Sequence, residues 1–492
     1  MRTLMIQGTA SNAGKSVVTA GLCRLARRRG LRVSPFKSQN MSLNAAVTSA
    51  GLEIGRAQAL QAFAAGLEPT VSMNPILLKP EGEMRSQIVL RGKAIARADF
   101  HGYAEYRQQC IAAIDQSLAE LAETSDLVIA EGAGSPAEIN LMERDIANMF
   151  VARRTDAEVL LVGDIDRGGV FASLVGTMAL LPPEDRERVR GFLINRFRGD
   201  VSLLLPGLEM LHERTGVVTQ GVVPFLEDLG LPEEDGQSIQ VDNRGFAAGS
   251  DRTGVAVVRF PRISNHDDFL PLEGDDRVDL RYVDHPRGLA GARLVILPGT
   301  KATRSDLAWL RARGFPLALD LHLAQGDRVL GICGGYQMLG HSIDDPGGTE
   351  SAPGRSTGLG LLPVSTTFGG EKTVRRVHLV QDDAGSWLLP ASAGGTIEGY
   401  EIHCGQVDVA PSAGPFLRHI ASSEPEGVVV GAVAGTLVHG LFENDGVLAA
   451  LLGPSLRGST WRERLDGAMD RLANTLEEHV ASDALDRWFA QS

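Results

Sequence analysis

The stretch that most limits what this chain can fold into is the apolar run Thr3 to Gln7, followed by Gly8-Thr9-Ala10-Ser11-Asn12-Ala13-Gly14-Lys15-Ser16 and an amphipathic segment to about Arg29. A short apolar run, a glycine-bracketed turn and a helix read as a buried parallel strand feeding a crossover. The layout recurs at Arg32 to Phe36, Asp126 to Glu131, Glu158 to Asp164 and Gly191 to Phe197, each time with polar residues at the strand tip. Alternation over about 225 residues predicts an α/β fold built on a doubly wound parallel sheet. Glycine, proline and acidic residues then crowd the chain near 233–252, after which Gly254 to Val258, Leu294 to Leu297 and Val329 to Ile332 begin a second such series. The expected layout is therefore two doubly wound domains, 1–232 and 253–450, joined by a linker at 233–252. A helical tail, 451–492, carries Trp461, Leu465, Met469, Leu472 and Leu476 at helical spacing, and is expected to pack on the second domain.

Length and charge narrow the class. A chain of 492 residues is too long for one core. With 48 basic against 61 acidic residues the net charge is −13, which argues against nucleic acid or an anionic membrane as partner. Cys23, Cys110, Cys333 and Cys404 show no paired spacing, so neither a zinc site nor a disulfide framework is indicated. No apolar run reaches membrane-spanning length and the first residues begin a strand, so a soluble, cytoplasmic protein is expected.

The first domain holds the pieces of a phosphate site. Backbone amides across Gly8, Thr9, Asn12, Ala13 and Gly14 would cradle phosphates, Lys15 would reach the β and γ phosphates of ATP, and the Ser16 hydroxyl would ligate Mg²⁺. Glu131, at the tip of a buried strand, is the candidate magnesium carboxylate. Lys37 and Asn40 follow the second strand, and Asp164 and Arg167 follow the strand ending at Asp164. All four are candidates for phosphate or substrate contacts. Asn195, near the end of the next strand, is a candidate for an adenine edge.

The second domain places a thiol at a strand-to-helix turn, in Val329-Leu330-Gly331-Ile332-Cys333-Gly334-Gly335-Tyr336. Flanking glycines permit a strained turn that lifts the side chain out of the sheet, as a nucleophile requires. The following helix N-terminus favours the thiolate, and the Gly334 amide is a natural oxyanion donor. The competing reading is a buried, inert cysteine. Two histidines compete as general base: His439, ending the apolar run Gly435 to Val438, and His403, in Gly399-Tyr400-Glu401-Ile402-His403-Cys404-Gly405.

Five motifs together carry a resemblance. They are the Gly-Lys-Ser loop in its shifted register, Phe36 to Met41, Gly134 to Leu141, Gly163 to Phe171 and Asn195 to Asp200. In this order, and combined with Cys333, they resemble the cobyric acid synthases over nearly the whole chain. The loop, with Thr9 where a standard phosphate loop has glycine, is similar to that of dethiobiotin synthetase-like enzymes. The second half resembles class I glutamine amidotransferases. That likeness implies that the Pro298-Gly299-Thr300 turn supplies a second oxyanion amide at Thr300. It also implies that His439, on which the motif Thr-x-x-His-Gly-x-Phe falls, is the base. The resemblance implies ATP- and glutamine-dependent amidation of carboxylates b, d, e and g of adenosylcobyrinic acid a,c-diamide, a corrinoid polycarboxylate, to give cobyric acid in cobalamin biosynthesis. The sister enzymes that amidate carboxylates a and c share the same domain pair and form the alternative. A ParA-like nucleotide switch or a carbon dioxide-using ligase would leave Cys333 and His439 without a task. One departure stands out: the glutamate that class I enzymes place two residues past the histidine is replaced by Leu441, and Glu443 lies four residues on. The spacing predicts a Cys333–His439 dyad whose imidazole is held by a backbone carbonyl, a water or a residue remote in sequence.

Overall fold

The computed structural model describes residues 1–490 apart from 82–84, 100–101, 227–228, 232–238, 248, 351, 383–394 and 454–458. The first sheet has β1 (Arg2–Gly8) near its centre. Four strands follow it in the chain: β2 (Val33–Phe36), β3 (Leu127–Glu131), β4 (Glu158–Asp164) and β5 (Val189–Phe197). The sixth is β6 (Thr219–Pro224). Their order is β6-β5-β4-β1-β3-β2, and every pairing is parallel. Because strand side chains alternate between faces, Leu4 and Ile6 enter the core on one side of this sheet and Met5 enters the core on the other. Helix α1 (Lys15–Arg28) covers the first of these faces.

Between β2 and β3 the chain leaves the sheet. Strands 39–41, 76–80, 85–90 and 93–99 form a small sheet of their own, and the hairpin of 45–47 with 53–55 runs into helix α2 (Arg56–Ala65). In this region Lys79 is buried and its ammonium pairs with Glu53 at 2.5 Å.

The second sheet opens with β7 (Thr253–Val258), β8 (Val278–Val283), β9 (Leu294–Leu297) and β10 (Arg328–Ile332). A second run follows in β11 (Thr373–Gln381), β12 (Thr396–His403), β13 (Gly414–His419), β14 (Pro425–Val430), β15 (Val433–Thr436) and β16 (Val438–His439). Its order is β8-β7-β9-β10-β15-β14-β13-β11-β12-β16, parallel as far as β15 and antiparallel beyond. Because β15 lies parallel beside β10, with Thr436 opposite Ile332, the segment that follows carries His439 near Cys333, and the antiparallel wing sets β12 beside β16.

Two expectations are corrected. Residues 233–238 and 248 of the expected linker lie outside the described residues, but Val241 bridges Tyr282 of β8, and the Phe246 amide donates to Ala290 O at 2.8 Å. That stretch belongs to the edge of the second unit. The tail, expected on the second unit, packs on the first. Its helices α3 (Trp461–His479) and α4 (Ser482–Phe489) bury Met469, Leu472, Leu476, Leu485 and Trp488 against Leu4, Ile6, Val18 and Leu22. Leu472 and Leu476 seat directly over Gly21 of α1, where a Cβ would strike them, and the Ala481 amide donates to Gln220 O at 2.7 Å beside β6. Periodicity shows that a helix has an apolar face but not which of two apolar surfaces receives it. Here the surface formed by α1 and the face of the first sheet that it covers does. The Arg24 guanidinium, paired with Asp466 at 2.9 Å and Asp470 at 2.8 Å, fixes the rotation of the helix.

Candidate active sites

Cys333 sits at the end of β10 with φ 51° and ψ −110°, a backbone conformation that costs energy in any residue with a Cβ. Its amide donates to Thr436 O at 2.8 Å and its carbonyl accepts from the Gln337 amide at 3.0 Å, so the strained turn is held on both sides. The helix that follows, 334–339, spans only six residues, so the nearby amides weigh more here than the helix dipole. Gly334 allows the closest of these approaches: a Cβ there would meet Thr300 Cγ2 at 2.7 Å and Thr300 N at 3.2 Å. The bonds from Ser264 N to Gly299 O and from Lys301 N to Arg262 O flank Thr300, which leaves its amide outside that ladder. Gly334 and Thr300, both expected as oxyanion donors, are thus brought side by side next to Cys333.

His439 lies opposite Tyr400 on β12, its ring stacked on the Tyr400 ring at 5.4 Å. Its Nδ1 donates to Asp268 Oδ2 at 2.7 Å, and the other oxygen of that carboxylate accepts the Gly440 amide at 3.0 Å. Burial lowers the imidazole pKa, but the Asp268 carboxylate and the hydrogen bond with Cys333 outweigh it and push the group up to about 10. The expected dyad is therefore corrected to a triad. The residue remote in sequence is Asp268, in the loop that follows β7, and it was not singled out from the sequence. The cluster Asn265-His266-Asp267-Asp268 past a buried strand was the available signal. Glu443 turns away to Arg56. His403 pairs instead with Glu401 at 3.5 Å and the Gly405 carbonyl at 3.3 Å.

In the first unit, the loop from Gly8 to Ser16 joins β1 to α1. Thr9 N donates to Val162 O at 3.0 Å, Asn12 has φ 60°, and Lys15 Nζ reaches back to Ala10 O at 2.9 Å and Gly134 O at 3.0 Å. Gly14 has φ 95°, and a Cβ there would collide with the Asn195 amide group. Asn195 itself donates to Ala13 O at 3.0 Å. Its nitrogen is thus committed to bracing the loop, a placement the sequence did not foresee.

Glu131 is the hub of this region. Its Oε1 accepts from Ser16 Oγ at 2.8 Å and from Lys37 Nζ at 2.8 Å, and its Oε2 accepts from Gln61 Nε2 at 2.6 Å. Ser16 Oγ and Glu131 Oε1, 2.8 Å apart beside the loop, are hard oxygen donors of the kind Mg²⁺ takes. Asn40 points inward to Gln58 Oε1 at 3.0 Å. Asp164, at the carboxyl end of β4 and largely shielded from solvent, is held by Arg196 of β5 at 3.0 Å and by Arg167 at 3.6 Å. Asn40, Asp164 and Arg167 are therefore not gathered with Lys15 in the contacts observed.

The Cys333 site lies at the interface between the two units. A cavity bounded by Cys333, His439, Thr300, Gln337 and Cys404 is closed on its far side by Leu43 and Lys79 of the first unit. Ala45, Val47, Leu77 and Val89 from the first unit share an apolar cluster with Tyr400 and Ile402 from the second. Lys372 crosses to Glu53 at 2.5 Å and Lys301 to Glu81 at 3.1 Å. Burial raises the Glu53 carboxyl, but the Lys372 and Lys79 ammonium groups overcome it and draw the group down to about 2.

Residues 4–239 match the family described as CobQ/CobB/MinD/ParA nucleotide binding domain, and residues 254–447 match the CobB/CobQ-like glutamine amidotransferase domain. Among curated relatives, the cobyric acid synthase of Sorangium cellulosum is 50% identical, covering 99% of this chain and 98% of its own. That of Desulforudis audaxviator is also 50% identical over 99% and 98%. That of Paracoccus denitrificans is 50% identical over 99% of both chains.

Proposed function

The chain belongs to the cobyric acid synthases, and from that premise we propose that it converts carboxylates b, d, e and g of adenosylcobyrinic acid a,c-diamide to amides, with ATP as activator and glutamine as nitrogen source. The observation that carries this reading is the presence in one chain of a Cys333–His439–Asp268 triad, at the interface face of the second unit, and a phosphate loop in the first.

In the second unit, the Cys333 thiolate attacks the side-chain amide carbon of glutamine. The oxyanion lies between the Thr300 and Gly334 amides, and the proton held by His439 goes to the departing nitrogen, which leaves as ammonia. Water, deprotonated by His439, then cleaves the thioester to glutamate and restores the thiol. Asp268 holds the imidazole in the tautomer that both steps need.

In the first unit, a substrate carboxylate oxygen attacks the γ-phosphorus of ATP, forming an acyl phosphate and releasing ADP. Ammonia adds to the acyl carbon, phosphate departs with the bonding pair, and the amide remains. Lys15 balances charge on the transferring phosphoryl group. Ser16 and Glu131 would hold Mg²⁺, which neutralises the phosphate oxygens when bound, and Lys37 would stay paired with Glu131. A cytoplasmic setting fits the free thiols and the absence, among the described residues, of a helix long and apolar enough to cross a membrane.

The test is to incubate the enzyme with ATP, Mg²⁺, glutamine and the a,c-diamide and to count amides by mass spectrometry. Stepwise gain of amides at b, d, e and g supports the reading. Amidation of a and c in cobyrinic acid, with none at the other positions, overturns it.

A further inference from the structure

Arg56 belongs to the first unit, as the opening residue of α2, yet its guanidinium works in the second. Nη2 donates to Glu443 Oε1, and Nε lies 3.9 Å from Asp267 Oδ2. Both acids adjoin the acid–histidine pair: Asp267 precedes Asp268, and Glu443 closes the single turn 441–443 that follows His439. Asp268 contacts the imidazole, Asp267 and Glu443 share Arg56 beside it, and Asp267 and Asp268 are almost fully buried. The groups that face them are the Arg56 guanidinium and the rings of His439 and His266, the latter with Nε2 3.5 Å from Asp267 Oδ1. Like charges gathered in a low-dielectric site drive one another to protonate unless a cation is held among them. Burial already pushes the Asp267 carboxyl up, with His266 and Arg56 opposing it.

The same turn is gripped from the first unit at two further points. Asn44 Nδ2 meets His266 Nδ1 at 3.0 Å, and the Ala45 amide donates to Asn265 Oδ1 at 3.0 Å. Asn265 has φ 51°, so the loop that presents Asp268 is strained and is held from across the interface. Further along α2, Gln61 donates to Glu131 Oε2 at 2.6 Å beside the phosphate loop.

We propose that Arg56 is a positioning residue for glutamine hydrolysis, supplied across the interface by the nucleotide-binding unit to hold the Asp267–Asp268 turn and Glu443 so that Asp268 stays aimed at His439. The inference rests on the reading that Cys333 and His439 hydrolyse glutamine. It ties hydrolysis to the docked state of the two units through a side chain that touches neither substrate.

The full-length protein carrying Arg56→Gln or Arg56→Lys tests this with three readouts: glutamate release, ammonia-driven amidation, and alkylation of Cys333 by iodoacetamide followed on its own peptide. In Arg56→Gln, kcat for glutamate release falls by about tenfold or more while KM for glutamine stays within about twofold, the pattern of a lost catalytic geometry rather than of lost binding. Cys333 alkylation slows in parallel, ammonia-driven amidation is retained, and Arg56→Lys recovers part of the loss because charge is restored without the two-pronged fork. An unchanged kcat, a change in KM alone, or an equal loss of ammonia-driven amidation would overturn the proposal. Should the unmodified enzyme release no glutamate, the glutaminase reading fails, and the alkylation readout still decides on Arg56: a Cys333 as reactive in Arg56→Gln as in the parent overturns its role.

Discussion

His439 and Asp268 stand 171 positions apart in the chain, yet Nδ1 of one and Oδ2 of the other are 2.7 Å apart, with both side chains almost fully buried. The pair takes the place of a glutamate two residues past the histidine, a position filled here by Leu441. Asp268→Asn removes the largest upward influence on the imidazole and leaves burial, which lowers its pKa, opposed only by Cys333. Glutamine hydrolysis is expected to fall by about 10²–10⁴-fold, as when a triad acid loses its charge. Glutamate release at saturating glutamine checks this, and a rate near that of the parent would remove Asp268 from the site.

The same pair fixes a pH dependence of stability. The folded-state pKa of His439, about 10, lies above its ordinary value of 6.5. The imidazolium therefore contributes stability that is complete below about pH 6.5 and is lost as pH rises through about 10. Urea unfolding at a series of pH values should show this loss in the parent and a flatter profile above neutrality in Asp268→Asn.

Cys333→Ala should abolish glutamine-driven amidation and leave amidation from high concentrations of free ammonia in place, because only the nitrogen source has been removed. Loss of both activities would mean that the two sites are not chemically separable.

Lys15→Ala should cripple amidation from either nitrogen source by about a hundredfold or more, since it removes charge stabilisation from the phosphoryl transfer. ATP-dependent amide formation from ammonia is the measurement, and an unchanged rate would take Lys15 out of the mechanism. Glu131→Gln is expected to raise the Mg²⁺ concentration needed for half-maximal turnover; an identical titration would assign the metal to another carboxylate.

The tail gives a stability prediction. Leu476 is fully buried against Gly21 of α1, so Leu476→Ala should cost about 2–5 kcal/mol, as a buried leucine truncation does. Urea unfolding measures the cost, and glutamate release should be preserved. Undiminished stability, or loss confined to glutaminase activity, would contradict the packing of the tail on the first unit.

What the sequence determined by itself is whatever local chemistry encodes. The run before Gly8 and the Gly-Lys-Ser loop had to form a strand, a turn and a helix. The paired glycines around Cys333 had to yield a turn that lifts the thiol, and its φ of 51° is that turn. The fold class and the nearness of Gly334 to Thr300 were legible for the same reason: each depends on a strand end and the turn beside it. What only the tertiary structure decided are the meetings between segments distant in sequence. Asp268 reaches His439 because β7 and β15 run parallel in one sheet, so the segments past their carboxyl ends meet. Glu443 is drawn off by Arg56 from the other unit. Asn195 is spent on Ala13, and the tail chooses the face over Gly21 although its pattern fits any apolar surface. Hydrophobic spacing specifies that a face must be buried. Shape and charge at the receiving surface, here Gly21 and Arg24, specify where.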